Sequence, residues 1–582
     1  MFQLRHSSGF LYKTYLIIVV LTLWVTAVLI TLSESYVAYR WTAFFLWLTS
    51  CGVALVLFLA YELRVRSFLG GLSRQSKVLF LLLMLVTVAS RLYALDSYPF
   101  MAINDEVRDA ANLGQKFALG TRTDLFGFEW SQGTFSGALC SIFYHLFGQS
   151  LLTYRVPAAL LSILNLALVT LIATRWFGAR VGLLAGATTL CLPLELHYAR
   201  TQTLIEGTEV CATALIGVMA ITYSRRTMLS FFFLGIVAGF GIGLHASVYV
   251  LCYLAIGSAF VFAWSPRTRG PERVSPGLAR ISATLIGMLV GVGPRILFVK
   301  GSIILPINKL AIPLDAASRL SDLSIRYVAS LGVYLDKPFS MFFIGERFLT
   351  LPLSLLLVVG ALRCLWPCSF PKSLCLLLVL LLPFTNSAAT SLLNGSHRLL
   401  VVLPFVAILI ALGFDLVLFV LSRGRLAWAC FMLTTLFLVY NAAGLKNYFL
   451  SERDTEPLGA PHVKLYYLVR YVSEHLLTYG VRVPQNLCVI GCPECSILNT
   501  GHVRGFLAFF LPSQKIEIRF DPAVRSYGEL VIASDCDEPI TGELKTFHFC
   551  EKPELYRCPA KLPPLKLSMT QQFYERLSGT PL

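Results

Sequence analysis

Long apolar runs alternate with short polar connections over the first 445 residues of this chain. A helix needs ~20 consecutive apolar residues to cross the hydrocarbon core of a bilayer. Thirteen runs approach that length, near residues 14–33, 41–61, 78–95, 155–175, 180–197, 207–223, 229–246, 248–264, 280–299, 347–365, 373–392, 398–420 and 426–445. The pattern predicts a polytopic α-helical membrane protein with about thirteen transmembrane helices.

Composition supports the membrane assignment. The chain has 582 residues, of which 56% are apolar and 14% charged, and its mean hydropathy is +0.71. The first run, 14–33, has full span length and no small-residue cleavage site after it. Because a cleaved signal peptide has a shorter apolar core and such a site, we interpret this run as a signal-anchor.

The basic excess predicts the orientation of the chain. Residues 446–582 carry 15 Lys/Arg and 15 Asp/Glu, so the net charge of +16 lies entirely in residues 1–445. Basic clusters fall on every second connection there, which is typical of cytoplasmic loops. The N-terminus is therefore predicted to be cytoplasmic, and residues 446–582 extracytoplasmic. The predicted soluble part contains no basic stripe interleaved with aromatic residues, so the sequence does not indicate a nucleic-acid partner.

One apolar segment does not fit the alternation of charge. Counting residues 135–148 as a span would place Arg175 and Arg180 outside and invert every later connection. The segment is also short for a crossing, and Tyr144 and His145 interrupt it. We predict an amphipathic helix that lies flat in the outer interface.

Three regions are then predicted to share the outer side: loop 96–154, loop 300–346 and the tail 446–582. Residues 463–480 have the spacing of an amphipathic helix, and "NLCVIG", "KIEIRF", "GELVIAS" and "KTFHFC" have the composition of short strands. The tail is therefore predicted to be a small soluble α/β domain. Residues 1–77 form extra N-terminal spans, and residues 78–445 form the main membrane domain.

Six of the fifteen cysteines lie in the tail, at positions 488, 492, 495, 536, 550 and 558. An even number in a domain facing an oxidising compartment favours structural disulfides. The segment "GCPEC" also has the spacing of a redox or metal-binding motif. Zinc would require a second paired motif, and the sequence contains none, so we favour disulfides.

Candidate chemistry concentrates on the predicted outer side. The loop after the third span contains "INDEVRDAANLGQKFALG" (103–120), which combines charged residues with helical apolar spacing. "HYAR" ends at Arg200, and His397 and Arg398 precede another span at the same level. Arginine suits phosphate, including the phosphate of a lipid headgroup. A nearby carboxylate can accept a proton from an attacking hydroxyl or hold a divalent cation.

These segments resemble the C-type (GT-C), lipid-phosphate-sugar-dependent glycosyltransferases, in the branch of protein O-mannosyltransferases and lipid A aminoarabinose transferase. The resemblance runs from Tyr98 to Arg200 and recurs at His397–Leu412. It is carried by "NDEVRDAANLGQKFALG", "LFGQSLLTYRVPAALLSILNLAL" and "RWFGARVGLLAGATTLCLPLELHYAR". It implies an inverting transfer from a polyprenyl-phosphate sugar to a hydroxyl of a protein, lipid or glycan. It also implies a bacterial inner membrane or plasma membrane.

The resemblance also assigns residues. Asp105 matches the catalytic aspartate of the first loop and Glu106 its partner, while Arg108 matches a donor-phosphate contact. Glu129 lies where some members carry an acid, and Glu206 stands in place of a frequent aspartate. These two are candidates for an acceptor or metal contact, with Mg²⁺ or Mn²⁺ as the cation.

Arg200 and Arg398 complete the predicted donor-phosphate contacts. The chain departs from the family where Trp130 and Ser131 replace a usual Lys-Pro pair, and where two spans precede the family-like core.

Structural roles and a different function remain open at this stage. Asn104, Asp105 and Glu106 also suit the N-terminus of a helix, as a cap and two acids at the positive end of its dipole. Arg200 and Arg398 also suit arginines that reach from span ends to lipid headgroups. A transporter or flippase is the functional alternative, but it would place ionisable residues in mid-span. Most charges here lie at the outer interface, which favours the enzyme.

Overall fold

The computed structural model describes residues 2–63, 71–96, 112–129, 132–148, 150–202, 207–264, 275–297, 348–388, 396–423 and 427–450, together with parts of 324–334 and five strands between 486 and 570. The membrane part is helical. In chain order its helices are α1 (Phe2–Leu32), α2 (Tyr36–Leu57), α3 (Arg74–Leu92), α4 (Asn112–Ala118), α5 (Phe135–Phe147), α6 (Leu151–Phe177), α7 (Ala179–Cys191), α8 (Pro193–Tyr198), α9 (Thr208–Arg225), α10 (Met228–Ile242), α11 (Tyr249–Trp264), α12 (Ser275–Val292), α13 (Leu351–Leu365), α14 (Phe370–Ala388), α15 (Leu403–Arg423) and α16 (Ala427–Leu450).

Each predicted span overlaps at least one of these helices. Six of the helices are long and apolar enough, by length and composition, to cross a membrane, and most of the others are shorter apolar helices. The chain is thus an integral multi-pass membrane protein, while the number of crossings and the orientation remain predictions. The predicted span 180–197 is not one helix, because α7 ends at Cys191 and α8 starts at Pro193. Proline has no N–H to continue the helix and is tolerated at its first position.

Glycines let helices α10 and α12 pack backbone against backbone. A Cβ atom at Gly235 would lie 2.0 Å from the carbonyl oxygen of Thr284, and one at Gly291 would lie 2.1 Å from that of Ile236. Only glycine fits such a contact, and small residues four apart are typical of helix pairs in membranes. Gly239 and Gly287 make equivalent contacts. Any side chain at these positions would force the two helices apart.

The N-terminal hairpin of α1 and α2 packs on the rest of the bundle through aromatic residues. The indole N–H of Trp47 donates to the carbonyl oxygen of Val290 in α12 over 2.9 Å. Trp47 also stacks on Phe240 of α10, with ring centroids 5.6 Å apart. Phe58, directly after α2, stacks on Phe233 of α10 with ring centroids 4.3 Å apart. The two extra N-terminal helices are therefore an integral part of the core.

Helix α5 spans the residues that we predict to lie flat in the interface. It follows a short hairpin whose two strands have two residues each: β1 (Phe128–Glu129) pairs with β2 (Gln132–Gly133). The hydroxyl of Thr134 donates to the carbonyl oxygen of Leu125 over 2.7 Å, which closes the turn before the helix. A helix of 13 residues is ~20 Å long, shorter than the ~30 Å hydrocarbon core. Its orientation to the membrane remains a prediction.

The tail contains a five-stranded sheet. Its strands are β3 (Asn486–Ile490), β4 (Lys515–Arg519), β5 (Leu530–Ala533), β6 (Leu544–Phe549) and β7 (Leu565–Thr570). Their order is β4-β3-β5-β7-β6, with β3 parallel to both β4 and β5, and β7 antiparallel to both β5 and β6. The four predicted strands are confirmed, and β7 was not predicted. The predicted helix 463–480 lies outside the described residues, so the α/β class of the tail remains a prediction.

Candidate functional site

Arg200 fixes the C-terminal end of helix α3. Its Nη1 atom donates to the carbonyl oxygens of Ser90 and Arg91, over 2.8 and 3.0 Å. Its Nη2 atom donates to those of Tyr93 and Ala94, over 2.6 and 3.0 Å. The last carbonyls of a helix have no partner within the helix and form the negative end of its dipole. The fully buried guanidinium of Arg200 therefore satisfies this helix end and neutralises its dipole.

A second buried arginine holds the same stretch of chain. Arg155, near the start of α6, donates from Nη1 to the carbonyl oxygen of Leu95 over 3.0 Å. Ala94 lies between the two contacts and has a φ of 45°, which places it in the left-handed region. That conformation costs an L-amino acid roughly 1–2 kcal/mol. Arg155 and Arg200 thus hold the chain in an unfavourable turn shortly before the predicted catalytic residues Asp105 and Glu106.

A chain of hydrogen bonds connects helices α3, α6 and α8. The Nε–H of Arg91 donates to the hydroxyl of Ser162 over 3.1 Å, and that hydroxyl donates to Oε1 of Glu195 over 2.9 Å. Arg91 Nη1 also donates to the carbonyl oxygen of Leu190 over 3.2 Å. All three side chains are buried. Since a buried charge requires hydrogen bonds and an opposite charge, this network joins the helices on which the candidate site is built.

Two further polar residues, His197 and Glu209, flank Arg200 in the sequence. His197, in α8, is buried and packs edge-on against Tyr198. Glu209 is buried in the first turn of α9, whose N-cap is Gly207 with a φ of 92°. A carboxylate in that position interacts favourably with the positive end of the helix dipole.

Arg295 is buried in an aromatic pocket near the end of α12. Its Cζ atom lies 4.6 Å from the ring centroid of Trp47 and 5.8 Å from those of Phe135 and Phe240. The side chain is fully buried, and no described residue accepts a hydrogen bond from its Nε, Nη1 or Nη2 atoms. A desolvated cation–π contact contributes roughly 2 kcal/mol, whereas burying a charge costs several kcal/mol. Aromatic contacts alone therefore leave this guanidinium incompletely compensated.

The predicted site residues differ in how much the structure says of them. Asp105, Glu106, Arg108 and Glu206 lie outside the described residues. For Glu129, in strand β1, and Arg398, in the 3₁₀ helix Ser396–Val402, only the backbone is described. Arg200 is fully described, and its interactions with helix α3 favour a positioning role. A contact of Arg200 with donor phosphate remains a prediction.

A divalent cation has no site among the described residues. No group of three or more His, Cys, Asp and Glu side chains comes together in that part of the chain. The carboxylates proposed to hold Mg²⁺ or Mn²⁺ are Glu206, which is not described, and Glu129, whose side chain is not described. The cation therefore remains an expectation from the sequence.

Neither Arg91 nor Arg295 is among the site residues predicted from the sequence. Each lies inside a long apolar run, in "TVASRLYAL" and "GVGPRILFV". An ionisable residue within a predicted span is by default a candidate for function, and that signal was available. The partners of Arg295 could not be predicted, because Trp47, Phe135 and Phe240 come from three separate elements of the fold.

Residues 132–290 match the family described as dolichyl-phosphate-mannose-protein mannosyltransferase. The match includes helices α5 to α11 and most of α12, with Arg155, Arg200 and Glu209. No curated protein matches the sequence.

Solved structures of two membrane glycosyltransferases are similar to this chain. ArnT from Cupriavidus metallidurans bound to undecaprenyl phosphate matches with a TM-score of 0.50 and 16% identity, over 77% of this chain and 87% of that one. Its apo structure matches with a TM-score of 0.48 and 15% identity, over 76% and 86% of the two chains. The oligosaccharyltransferase of Archaeoglobus fulgidus gives 0.42 and 14%, over 76% and 64%. The ArnT fold and the family match together indicate a C-type membrane glycosyltransferase, and the resemblance drawn from the sequence is confirmed.

Proposed function

We propose that this protein transfers a sugar from a polyprenyl-phosphate donor to an acceptor hydroxyl on the outer side of the membrane, with inversion at the anomeric carbon. The single observation that carries the proposal is the pinning of residues 93–95 by Arg155 and Arg200. A catalytic group must be held in a fixed position against its substrate. Two buried arginines at the start of the loop that contains Asp105 supply such an anchor.

The reaction would be a single displacement. The acceptor oxygen attacks the anomeric carbon, the bond from that carbon to the phosphate oxygen breaks, and polyprenyl phosphate leaves. Asp105 accepts the hydroxyl proton as general base, a contribution of typically 10²–10⁴-fold, and Glu106 supports it. Arg108 and Arg398 would stabilise the negative charge that develops on the phosphate, since preorganised charge is usually the largest catalytic term.

Arg200 has a different place in this proposal from the one that the sequence predicted. Its Nη1 and Nη2 atoms already donate to four carbonyl oxygens. We therefore assign it to holding the loop rather than to binding the donor. Most of loop 300–346 lies outside the described residues. Glu129 and Glu206 remain candidates for contacts with the acceptor or a cation.

The test is an assay of membranes that contain the full-length protein. Labelled polyprenyl-phosphate sugars are supplied one at a time, and both sugar transfer and release of polyprenyl phosphate are measured. Membranes with the Asp105→Asn protein serve as the control. We expect one donor to support sugar transfer in membranes with the wild-type protein and not in membranes with the Asp105→Asn protein. Movement of intact donor across the membrane, with no glycosidic bond broken, would instead establish the transporter alternative.

A further inference from the structure

Aromatic residues attach loop 96–154 to the N-terminal hairpin of α1 and α2. Phe126 of the loop is fully buried and contacts two residues of α2, with ring centroids 6.0 Å from Phe44 and 5.8 Å from Trp47. Phe135, at the start of α5, also contacts Phe44, with ring centroids 6.4 Å apart. Aromatic pairs of this kind stabilise by more than the apolar area that they bury. These contacts therefore hold the loop against α2.

Contacts near the turn between α1 and α2 extend this attachment. The phenol of Tyr36, the first residue of α2, interacts with the backbone of Leu125. A Cβ atom at Gly120 would lie 3.4 Å from Nη2 of Arg40, so that guanidinium lies against the backbone of the loop. The end of the hairpin that carries its turn therefore lies beside loop 96–154.

The segment between α4 and α5 has little regular structure of its own. It comprises residues 119–134, and the only strands among its described residues are β1 and β2, of two residues each. Segments with few buried contacts open locally at low free energy, so the contacts with α2 restrain it. The segment carries Glu129, and α4 before it begins at Asn112, shortly after Asp105 and Glu106. Three predicted site residues thus lie in or near the restrained segment.

We propose that helices α1 and α2 form a brace that positions loop 96–154 for catalysis, with Phe44 and Phe126 as positioning residues. The brace rests on the proposed function, because that function places the general base, Asp105, in this loop. Both helices precede the family-like part of the chain, which begins at Tyr98, so they are an addition to its catalytic framework. A catalytic group must be held in a fixed position, and loosening the brace should lower turnover although no group that touches the substrate is removed.

The main test compares Phe126→Leu with Phe233→Leu in the purified full-length protein. Phe233 of α10 is also buried, and it stacks on Phe58 directly after α2, so it is the matched control in the same helix interface. Both changes remove the same atoms from a buried aromatic contact and should lower the melting temperature by a similar amount. Amide hydrogen exchange of residues 103–129 should accelerate ~10-fold or more in Phe126→Leu and stay unchanged in Phe233→Leu.

Kinetics with the polyprenyl-phosphate sugar then separate positioning from stability. A displacement of ~1 Å caused far from the chemistry can cost ~10²-fold in rate, so Phe126→Leu should lower kcat ~10-fold or more. KM for the donor should change by a smaller factor than kcat, because the substitution removes no donor contact. Phe233→Leu should leave kcat and KM near the wild-type values when each variant is assayed well below its melting temperature.

A second variant loosens the same contact from the side of the hairpin. Phe44→Leu should reproduce both the faster exchange and the loss of kcat, and it decides the question if Phe126→Leu does not fold. In the double variant the loss of kcat should be smaller than the product of the two single losses, because both residues act through one contact. Trp47 is unsuitable for this test, since it also contacts Arg295.

The outcomes separate the brace from the proposed function. Equal hydrogen exchange and equal kcat in Phe126→Leu and Phe233→Leu, at the same loss of melting temperature, would overturn the brace and leave the proposed function intact. Faster exchange in Phe126→Leu with a normal kcat would also overturn it, because the contact would then not position the catalytic groups. If the wild type transfers sugar from no polyprenyl-phosphate donor, the proposed function fails, while faster exchange in Phe126→Leu and Phe44→Leu alone would still support the attachment of the loop to the hairpin.

Discussion

The guanidinium of Arg200 donates to the carbonyl oxygen of Ala94 over 3.0 Å, and Ala94 has a φ of 45°. Arg200 follows helix α8, whereas Ala94 lies 106 residues earlier, between α3 and the loop that contains Asp105. The contact therefore connects two family-like segments that are far apart in the sequence. It explains physically why an arginine after the "HYA" triplet matters for a loop after the third span.

The left-handed turn at Ala94 predicts a stabilising substitution. Glycine adopts a positive φ without steric cost but loses more entropy on folding, so Ala94→Gly should stabilise the protein by about 0.5–1 kcal/mol net of that loss. The apparent melting temperature of the purified protein should rise. Ala89→Gly, in the interior of α3, is the matched control and should lower it by a similar amount. A lower melting temperature for both variants would mean that Ala94 is not held in the left-handed region.

Arg200→Met should destabilise the protein strongly. The change leaves two carbonyl oxygens in the last turn of α3 and two in the turn after it without this donor, and each buried acceptor left unsatisfied costs roughly 1–3 kcal/mol. Expression and melting temperature should both fall. The control is Arg180→Met, because Arg180 pairs with Asp415 at 2.5 Å while its side chain is 57% exposed. Exposed ion pairs contribute about 0–1 kcal/mol, so that variant should melt nearly normally.

Arg200→Lys separates positioning from donor binding. Lysine keeps the charge but has no planar fork to reach several carbonyls. If Arg200 is a positioning residue, we expect Arg200→Lys to lower kcat and to leave KM for the donor unchanged. A raised donor KM with normal kcat would instead place Arg200 at the donor phosphate, as the sequence had suggested.

The sequence was informative where local pattern decides the structure. Apolar runs located the helices of the bundle, and the segment around Phe135–Phe147 was recognised as a separate helix. Contacts between residues of different helices could not be predicted from one sequence. The contacts of Gly235 and Gly291 depend on two helices approaching closely, and the pocket of Arg295 depends on α2, α5 and α10 meeting there. Strand β7 could have been predicted, since Leu565, Leu567 and Met569 alternate with polar residues.

The sheet makes the disulfide prediction more specific. Strands β3 and β5 are parallel neighbours, with Ile490 opposite Ala533, and the carboxyl ends of neighbouring parallel strands lie at the same edge. Cys492 and Cys536 follow those ends by two and three positions in the sequence. We therefore expect a disulfide from Cys536 to Cys492 or Cys495. Mass mapping of unreduced protein from its native membrane should detect that peptide pair, and six free tail thiols would revive the metal alternative.

Asp105→Asn distinguishes catalysis from helix capping at the position on which the proposed function depends. Asparagine keeps the size and much of the hydrogen-bonding capacity, so a residue that only interacts with a helix dipole should cost ~0.3–1 kcal/mol. Expression and melting would then hardly change, and transfer would be near normal. A general base should instead lose ~10²-fold or more in kcat.

The binding of the donor separates Asp105 from the phosphate contacts. Donor affinity should persist in Asp105→Asn, because the phosphate contacts belong to arginines, whereas Arg108→Ala should weaken it without unfolding the protein. Equilibrium binding of polyprenyl phosphate and kcat are measured for both variants. These two measurements distinguish loss of turnover from loss of donor binding. Near-normal turnover in Asp105→Asn would end its assignment as the base. Glu106 and Glu206 would then become the candidates for the base.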